Sequence, residues 1–270
     1  MGHGASAASR IDTRRAHPAR VYDYILGGKD NYPVDAEAAA AMVAALPSLP
    51  VTMRQNRLFM HRVTRYLARD AGIRQFLDIG TGLPTSPNLH EVAQREQPDA
   101  SVVYVDNDPI VLTYAQALLK SSPEGRTGYV DADMRDPDAI LESEAFQELL
   151  DLKQPVGLMI IAMLHFIPIP DGYALVRRLL DPLPSGSFLA ISTGTSDFAP
   201  QEAARKMVGE YESRGIRMIA RDRTQVAAFF DGLELVEPGL TQAHHWRPTE
   251  EQASVDDSHV AMYAAVGRKP

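Results

Sequence analysis

The segment Phe76-Leu-Asp-Ile-Gly-Thr-Gly82 ends an apolar run in an acid and two alternate glycines. Such glycines let a backbone turn sharply between a strand and a helix and come close to a bound ligand. A dinucleotide-binding loop needs a third glycine at position 85, which is Thr85 here, and the sequence has no Gly-x-x-x-x-Gly-Lys-Ser/Thr phosphate loop. The segment therefore predicts either a ligand loop in which Asp78 faces a cationic group, or only a tight turn that Asp78 caps.

Strand and helix signals alternate from this segment to the C-terminus. Apolar runs are typical of parallel strands buried on both faces, and stretches of helical periodicity separate them. The last two strands follow each other without a long helix between them, which predicts a mostly parallel sheet with an antiparallel end. The predicted strands are Gln75–Ile79, Val102–Asp106, Thr127–Asp131, Val156–Ala162, Ser187–Thr193, Leu233–Val236 and His259–Val266.

Helices are predicted between these strands, at about 87–96, 109–121, 137–151, 171–181, 200–214 and 223–230. Three of them carry a local start signal, a capping side chain directly before a first-turn proline. The three pairs are Ser86-Pro87, Asp108-Pro109 and Asp136-Pro137. Together these elements predict one α/β domain with an N-terminal helical extension.

The first 72 residues lack the strand–helix alternation. Residues 1–18 are small and polar without periodicity, which predicts a disordered tail. Residues 19–72 predict an arm and helices that cover the site, with an aromatic segment, a helix that starts at Asp35, and an amphipathic helix that stops at Gly72. The arginines of this amphipathic helix are better explained as a solvated face than as a phosphate-binding site. They are Arg54, Arg57, Arg62, Arg65 and Arg69.

The composition of the 270 residues excludes several classes of protein. Cysteine is absent, which rules out disulfides, cysteine-ligated zinc, iron–sulfur clusters and thiol nucleophiles. A formal charge of −8 and a pI near 5.5 argue against a general binder of nucleic acid or of anionic membranes. No apolar stretch of signal-peptide length stands at the N-terminus, and the longest apolar run, 156–169, is too short for a bilayer. The sequence thus predicts a cytoplasmic protein.

Acidic residues also end the second and third predicted strands. Asp106 follows an apolar run 24 residues beyond Gly82, where an acid can accept both hydroxyls of a ribose, and Asn107 next to it can touch the same ligand. Asp133 can accept the exocyclic amine of an adenine while Met134 packs on the ring, although core filling is the commoner fate of a methionine. An adenosine bound at the ends of the first two strands would place its adenine at the end of the third strand.

These motifs resemble those of class I S-adenosylmethionine-dependent methyltransferases. The similarity rests on Leu77-Asp-Ile-Gly-Thr-Gly82, Val105-Asp106 and Asp131-Ala-Asp-Met134 at consecutive strand ends. Other segments look like those of an actinobacterial family called S-adenosyl methyltransferase, formerly a domain of unknown function. They are residues 20–31, Ile79-Gly-Thr-Gly-Leu-Pro-Thr85 and residues 230–239. With the N-terminal extension, the resemblance covers nearly the whole chain.

The resemblance implies a Rossmann-like, seven-stranded class I methyltransferase sheet in residues 73–270, with helices on both faces and S-adenosylmethionine as cofactor. It implies cofactor contacts in the order methionine part, ribose and adenine. The residues concerned are Asp78, Gly80, Thr81 and Gly82, then Asp106 and Asn107, then Asp133 and Met134. Pro84 stands where the general class often has a third glycine, so the exit of this loop differs from that class.

The end of the fourth strand should lie beside the transferred methyl group, because ligands of open α/β sheets bind outside the carboxyl ends of the strands. Met163 is therefore another predicted cofactor contact. The neutral imidazole of His165 either takes a proton from an acceptor hydroxyl or amine, or only packs over the cofactor. Tyr22 is a second candidate catalytic residue, on an arm that is a lid over the cofactor, a hydrophobic clasp, or both.

A histidine-rich stretch near the C-terminus has the ligand types of a metal site, in His244, His245, Asp256, Asp257 and His259. Their spacing is neither helical nor tight, so a solvated connection is the better interpretation. The sequence therefore predicts no metal.

Three functions of different classes fit these features. The first is an enzyme that transfers methyl from S-adenosylmethionine to a small molecule, without nucleic-acid or membrane partners. The second is a non-catalytic protein that binds S-adenosylmethionine or S-adenosylhomocysteine in a methyltransferase fold. It is kept because Ala162-Met-Leu-His165 stands where an Asn-Pro-Pro-Tyr-like motif would mark catalysis. A nicotinamide dehydrogenase, the third, is disfavoured by Thr85. The sequence leaves the oligomeric state open.

Overall fold

A mixed sheet of eight strands forms the centre of the computed structural model, which describes residues 12–118 and 120–270. The strands are β1 (Gln75–Ile79), β2 (Ser101–Asp106), β3 (Arg126–Asp131), β4 (Gly157–Ile161), β5 (Phe188–Gly194), β6 (Glu234–Leu235), β7 (Thr241–Gln242) and β8 (Met262–Arg268). Their order is β3-β2-β1-β4-β5-β8-β6, and β7 also pairs with β8. β1 to β5 are parallel, whereas β8 is antiparallel to β5, β6 and β7. The predicted sheet, mostly parallel with an antiparallel end, is confirmed.

The number of strands differs from the seven that the resemblance implies. The strand predicted at Leu233–Val236 corresponds to β6, whereas β7 is an additional strand in the stretch predicted as a polar connection, and both pair with β8. Pro238 lies between β6 and β7 and has no backbone N–H to donate to the ladder. The seventh position of the sheet is therefore filled by two strands of two residues each.

The strand β3 also departs from the expectation that the parallel strands are buried on both faces. It lies at the edge of the sheet, next to β2 alone, and its end residues Arg126 and Asp131 are exposed. By contrast, all five residues of the central strand β1 are buried. Position in the sheet, which single strands do not encode, decides this difference.

Helices cover both faces of the sheet. They are α1 (Pro18–Ile25), α2 (Pro33–Ala45), α3 (Leu49–Arg65), α4 (Leu89–Glu96), α5 (Pro109–Leu118), α6 (Pro137–Leu141), α7 (Glu144–Leu149), α8 (Asp171–Leu180), α9 (Gln201–Glu212), α10 (Arg223–Ala227) and α11 (Glu250–Ala253). The start signals Asp108-Pro109 and Asp136-Pro137 are confirmed. The start at Ser86-Pro87 is wrong, because Asn88 and Glu91 form a capping box and α4 begins at Leu89. The single helix predicted at 137–151 is broken where Ser143 caps α7.

A group of buried charged side chains connects α1 with α2 and with the loop after β2. Arg20 of α1 is 4% exposed, and its guanidinium lies 3.6 Å from Asp35 and 3.4 Å from Asp108. His17 contacts the same Asp108 carboxylate, at 3.1 Å. The arm that makes these contacts thus begins before residue 19, and residues 1–11 of the tail predicted at residues 1–18 lie outside the described residues.

The helix α3 continues as a π-helix, Tyr66–Asp70, and lies on the face of the sheet that carries Phe76. The predicted solvated face holds for Arg54, Arg65 and Arg69, but it is wrong for Arg62. Arg62 is 7% exposed and donates hydrogen bonds to the carbonyl oxygens of Trp246 and Ala243. This buried arginine ties α3 to the segment between β7 and β8.

Within the described ranges, no single helix combines the length and the apolarity needed to cross a membrane. Only α2 taken together with Leu49–Asp70 meets both conditions, and the two helices of that pair bend by 105°.

Candidate functional site

A cavity of about 480 Å³ opens at the carboxyl ends of β1, β2 and β4, beneath the N-terminal helices. This volume falls in the range of about 300–1,000 Å³ that is usual for small-molecule sites. Every site residue predicted from the sequence lines it. They are Tyr22, Asp78, Gly80, Thr81, Gly82, Asp106, Asn107, Asp133, Met134, Met163 and His165. Those that follow strands come together because parallel strands present their carboxyl ends at one edge, whereas Tyr22 reaches the cavity from α1.

The loop after β1 has the backbone shape that its two glycines predict. Gly80 and Gly82 have φ angles of +74° and +68°, in the left-handed region that favours glycine. The N–H groups of Gly80 and Thr81 donate to the Val105 carbonyl oxygen, at 2.8 and 3.1 Å. A Cβ at Gly82 would meet no protein atom within 4 Å, so the space in front of this residue is open cavity.

Asp106 is 7% exposed and forms the wall next to this loop. Its Oδ2 accepts the N–H of Gly82 and its Oδ1 the N–H of Asp108, both at 2.9 Å. Because each carboxylate oxygen has two lone pairs, one acceptor site remains on each oxygen. Burial raises the pKa of Asp106 above its usual value, although these two hydrogen bonds oppose the shift. The geometry leaves room for two hydroxyl donors.

Asp133 is already surrounded by donors. Its oxygens accept the Nδ2 of Asn107 at 2.9 Å and the backbone N–H, Nε and Nη2 of Arg135. Hydrogen bonding to Arg135 lowers the pKa of Asp133 to about 2. These four donors occupy the four lone pairs, so a ligand amine must replace one of them. Sequence reasoning missed Arg135, although it stands two residues after Asp133.

Asp78 is a buried acid at the end of β1. Successive side chains of a strand point to opposite faces, so Asp78 shares the face of Phe76, where α3 packs. Burial raises the pKa of Asp78 to about 7, and the charge of Asp106 adds to this, whereas Arg57 and Thr81 act in the opposite direction. Near neutral pH this carboxyl is poised to become an anion opposite a cationic ligand group.

The raised pKa of Asp78 gives a prediction on stability. The folded protein holds this proton up to about pH 7, whereas the unfolded chain releases it near pH 4. The free energy of unfolding of the wild type therefore falls as the pH rises from about 4 to about 7. We expect Asp78→Asn to raise the free energy of unfolding at pH 8 by roughly 2–4 kcal/mol, and by much less at pH 4. Urea unfolding at both pH values measures the difference. An equal effect at both values would refute the burial argument, and Asp138→Asn, at an exposed acid of α6, is the control.

Arg57 is a cavity residue that sequence reasoning assigned to a solvated face. Its Nη2 donates to the carbonyl oxygens of Thr85 and Pro87, the second at 2.9 Å. Its Nε is buried and has no hydrogen-bond partner among the residues that the structure describes. The spacing contained a signal, since Met53, Arg57 and Met60 recur at i, i+4 and i+7 and therefore share one face of α3.

His165 and Tyr22 lie on another part of the cavity wall. The Nδ1 of His165 accepts the N–H of Gly194 at 3.3 Å, so the neutral ring carries its proton on Nε2. Burial lowers the pKa of His165 to about 3, with a further contribution from Arg221. Tyr22 donates to the Met53 carbonyl oxygen and accepts from Asn56, both at 3.0 Å, and burial raises its pKa. At neutral pH both side chains are uncharged hydrogen-bonding groups.

Part of the cavity is lined mainly by apolar side chains. It lies between the N-terminal helices, the segment after β4, and residues 207–218. We call it the apolar chamber. Its members are Leu46, Leu49, Met53, Phe166, Met207, Tyr211, Ile216 and Met218.

The histidine-rich stretch forms a compact cluster away from this cavity. The Nε2 atoms of His244 and His245 lie 3.1 and 2.6 Å from one oxygen of Asp257. The ligand atoms of these three residues are close enough to hold a metal ion, while Asp256 and His259 are not part of the group. Direct hydrogen bonds from both rings to Asp257 account for the cluster as it stands.

Comparison with protein families gives one match over nearly the whole chain. The family described as S-adenosyl methyltransferase matches residues 4–270. A curated relative, "Putative S-adenosyl-L-methionine-dependent methyltransferase" from Mycobacterium marinum, is 28% identical over 223 residues, which are 75% of this chain and 67% of the relative.

Two solved structures share both fold and sequence with the chain. A DUF574 family protein from Streptomyces avermitilis is 57% identical with a TM-score of 0.94, over 97% of this chain and all of that one. A "putative methyltransferase" from Thermobifida fusca is 37% identical with a TM-score of 0.87, over 95% of this chain and 96% of that one.

Proposed function

The chain belongs to the S-adenosyl methyltransferase family, and from this premise we propose that it methylates a small, mainly apolar molecule held in the cavity. The family makes it an S-adenosylmethionine-dependent methyltransferase. The acceptor class and the roles of single residues are our proposal. One observation carries it: the cavity at the strand ends includes the apolar chamber.

The residues at the strand ends fit the cofactor. The open space in front of Gly82 admits a ligand next to the backbone, and a Cβ at this position would fill it. Asp106 has one acceptor site left on each oxygen, which matches the two hydroxyls of a ribose. Asp78 offers a carboxylate to the ammonium group of the methionine part.

When bound, S-adenosylmethionine would supply a methyl group on a positively charged sulfur, so that an acceptor lone pair could bond to the methyl carbon in line while the carbon–sulfur bond breaks and S-adenosylhomocysteine leaves. In this proposal Asp106 holds the ribose, and Gly80, Thr81 and Gly82 admit the methionine part close to the backbone. Met134, which is 3% exposed, packs on the adenine. The exposed Asn107 is the donor that an adenine amine replaces on Asp133, because its side chain is the easier one to turn into solvent.

His165 and Tyr22 orient the acceptor rather than remove its proton. The Nδ1 of His165 is occupied by Gly194, which leaves an N–H to donate, and the hydroxyl of Tyr22 is held between Met53 and Asn56. Alignment alone contributes a large part of the barrier reduction in a displacement of this kind. The expected acceptor therefore has a nucleophilic atom that needs no enzyme base, such as an ionised phenol or a neutral amine.

The arm at the N-terminus acts as a clasp that also closes the cavity. His17, Ala19 and Tyr22 line the cavity, and the buried Arg20 anchors the arm to Asp35 and Asp108. A cavity closed in this way, in a chain of net charge −8, favours a small molecule over a nucleic acid. The cytoplasmic location stays a prediction.

Ligand-induced stabilisation followed by an acceptor screen tests this function. We expect S-adenosylhomocysteine to raise the melting temperature and NAD to leave it unchanged, because only a ligand that binds the folded state stabilises it. Incubation with S-adenosylmethionine should then add a methyl group to members of a panel of apolar phenols and amines, and not to RNA or peptides. Stabilisation by NAD alone, or methylation of RNA alone, would contradict the proposal.

A further inference from the structure

Arg57 is a cation on the cavity wall. Its Nη2 donates to two carbonyl oxygens, while its buried Nε has no hydrogen-bond partner in the described part of the chain. Among residues 12–118 and 120–270, no carboxylate forms an ion pair with its guanidinium. A charge taken out of water without a counter-charge is costly, and burial accordingly lowers the pKa of Arg57.

The acids around Arg57 leave this charge uncompensated. Glu91 is occupied by Asn88 and Ser86 at the start of α4. Asp106 is held by the backbone of Gly82 and Asp108. Asp78 is the remaining buried acid whose charge acts on Arg57, and it belongs to the same cavity wall. A ligand that brings both an anion and a cation would complement this pair.

We propose that Arg57 binds the carboxylate of the methionine part of S-adenosylmethionine, while Asp78 binds the neighbouring ammonium group. The inference rests on the proposed function and assigns one end of that cofactor site. Nε and a second guanidinium N–H form a fork that matches the two oxygens of a carboxylate. The hydrogen bonds to Thr85 and Pro87 hold the fork in place before the ligand arrives.

The alternative is that Arg57 only clamps the loop after Gly82. Its Nη2 alone accounts for that role, since it makes both bonds to Thr85 and Pro87. The two roles differ in one respect that can be measured. A clamp affects every ligand of the cavity, whereas a carboxylate partner affects only ligands that carry a carboxylate.

The test is a calorimetric comparison of Arg57→Met with the wild type on two ligands. One is S-adenosylhomocysteine, and the other is its decarboxylated analogue, which keeps the ammonium group and the nucleoside. We expect Arg57→Met to weaken S-adenosylhomocysteine roughly 10- to 100-fold and to leave the analogue unchanged. The wild type should show the same loss when the analogue replaces S-adenosylhomocysteine.

Two further variants complete the design. Arg54→Met removes an exposed arginine one turn earlier on α3, and both ligands should bind it as they bind the wild type. Arg57→Lys keeps the charge without the fork, so its loss should be intermediate and confined to S-adenosylhomocysteine. If Arg57→Met does not fold, the comparison of the two ligands on Arg57→Lys tests the proposal in its place.

Equal weakening of both ligands in Arg57→Met and Arg57→Lys would overturn the assignment and leave Arg57 as a loop clamp. Unchanged binding of S-adenosylhomocysteine would overturn it as well. A wild type that binds neither ligand would instead refute the proposed function itself.

Discussion

Gly80→Val is expected to abolish binding of S-adenosylhomocysteine in a protein that still folds. A Cβ at this position would lie 2.1 Å from Cγ and 2.3 Å from Sδ of Met163, which also lines the cavity. Met163 must therefore move, and the displaced side chain and the new one compete with the ligand for the same space. At a φ of +74° a β-branched residue adds backbone strain of about 1–3 kcal/mol, which most domains survive.

A matched variant separates this obstruction from the strain. Gly72 has a φ of +71°, but a Cβ there would meet no atom within 4 Å, and the residue does not line the cavity. Gly72→Val should lower the melting temperature through strain and keep the affinity of the wild type in calorimetry. Wild-type affinity in Gly80→Val would show that the glycines serve the turn alone.

Asp106→Ala is the second substitution with a large expected effect. Because the carboxylate is proposed to accept both ribose hydroxyls, its removal should weaken S-adenosylhomocysteine by about 1.5–3 kcal/mol, or roughly 10- to 150-fold. Stability changes separately, since the N–H groups of Gly82 and Asp108 lose their acceptor while a buried charge disappears.

A ligand without a ribose hydroxyl provides the control for Asp106. The 2′-deoxy form of S-adenosylhomocysteine should bind the wild type more weakly than the parent ligand does. Asp106→Ala should reduce the affinity for this 2′-deoxy form less than it reduces the affinity for the parent ligand. The two changes then fail to add, as expected for groups in contact. Strict additivity, or unchanged affinity of the parent ligand, would remove Asp106 from the ribose site.

The sequence predicts the elements of this fold well because its local signals agree with the tertiary structure. β1 has the predicted bounds, since an apolar run ends there in a Gly-x-Gly turn. The errors arise where distant contacts decide. The edge position of β3, and the way in which β6 and β7 share β8, depend on neighbours that the local sequence does not specify.

That the residues at the strand ends share one cavity could be predicted for a similar reason. One topological rule places the ends of β1, β2 and β4 side by side, so residues far apart in sequence could be assigned to one site. No such rule predicts the apolar chamber, because α3 and residues 207–218 come together only in the folded chain. Arg57 could not be predicted as a cavity residue, because a charged residue on an amphipathic helix usually faces water.

A crystal structure of the complex with S-adenosylhomocysteine would show whether the cavity at the strand ends binds the cofactor. We expect the ribose hydroxyls within hydrogen-bond distance of the Asp106 carboxylate and the adenine beside Met134. The sulfur should face the apolar chamber, where the acceptor would lie. A ligand bound outside this cavity, or with its ribose away from Asp106, would contradict the proposed cofactor site.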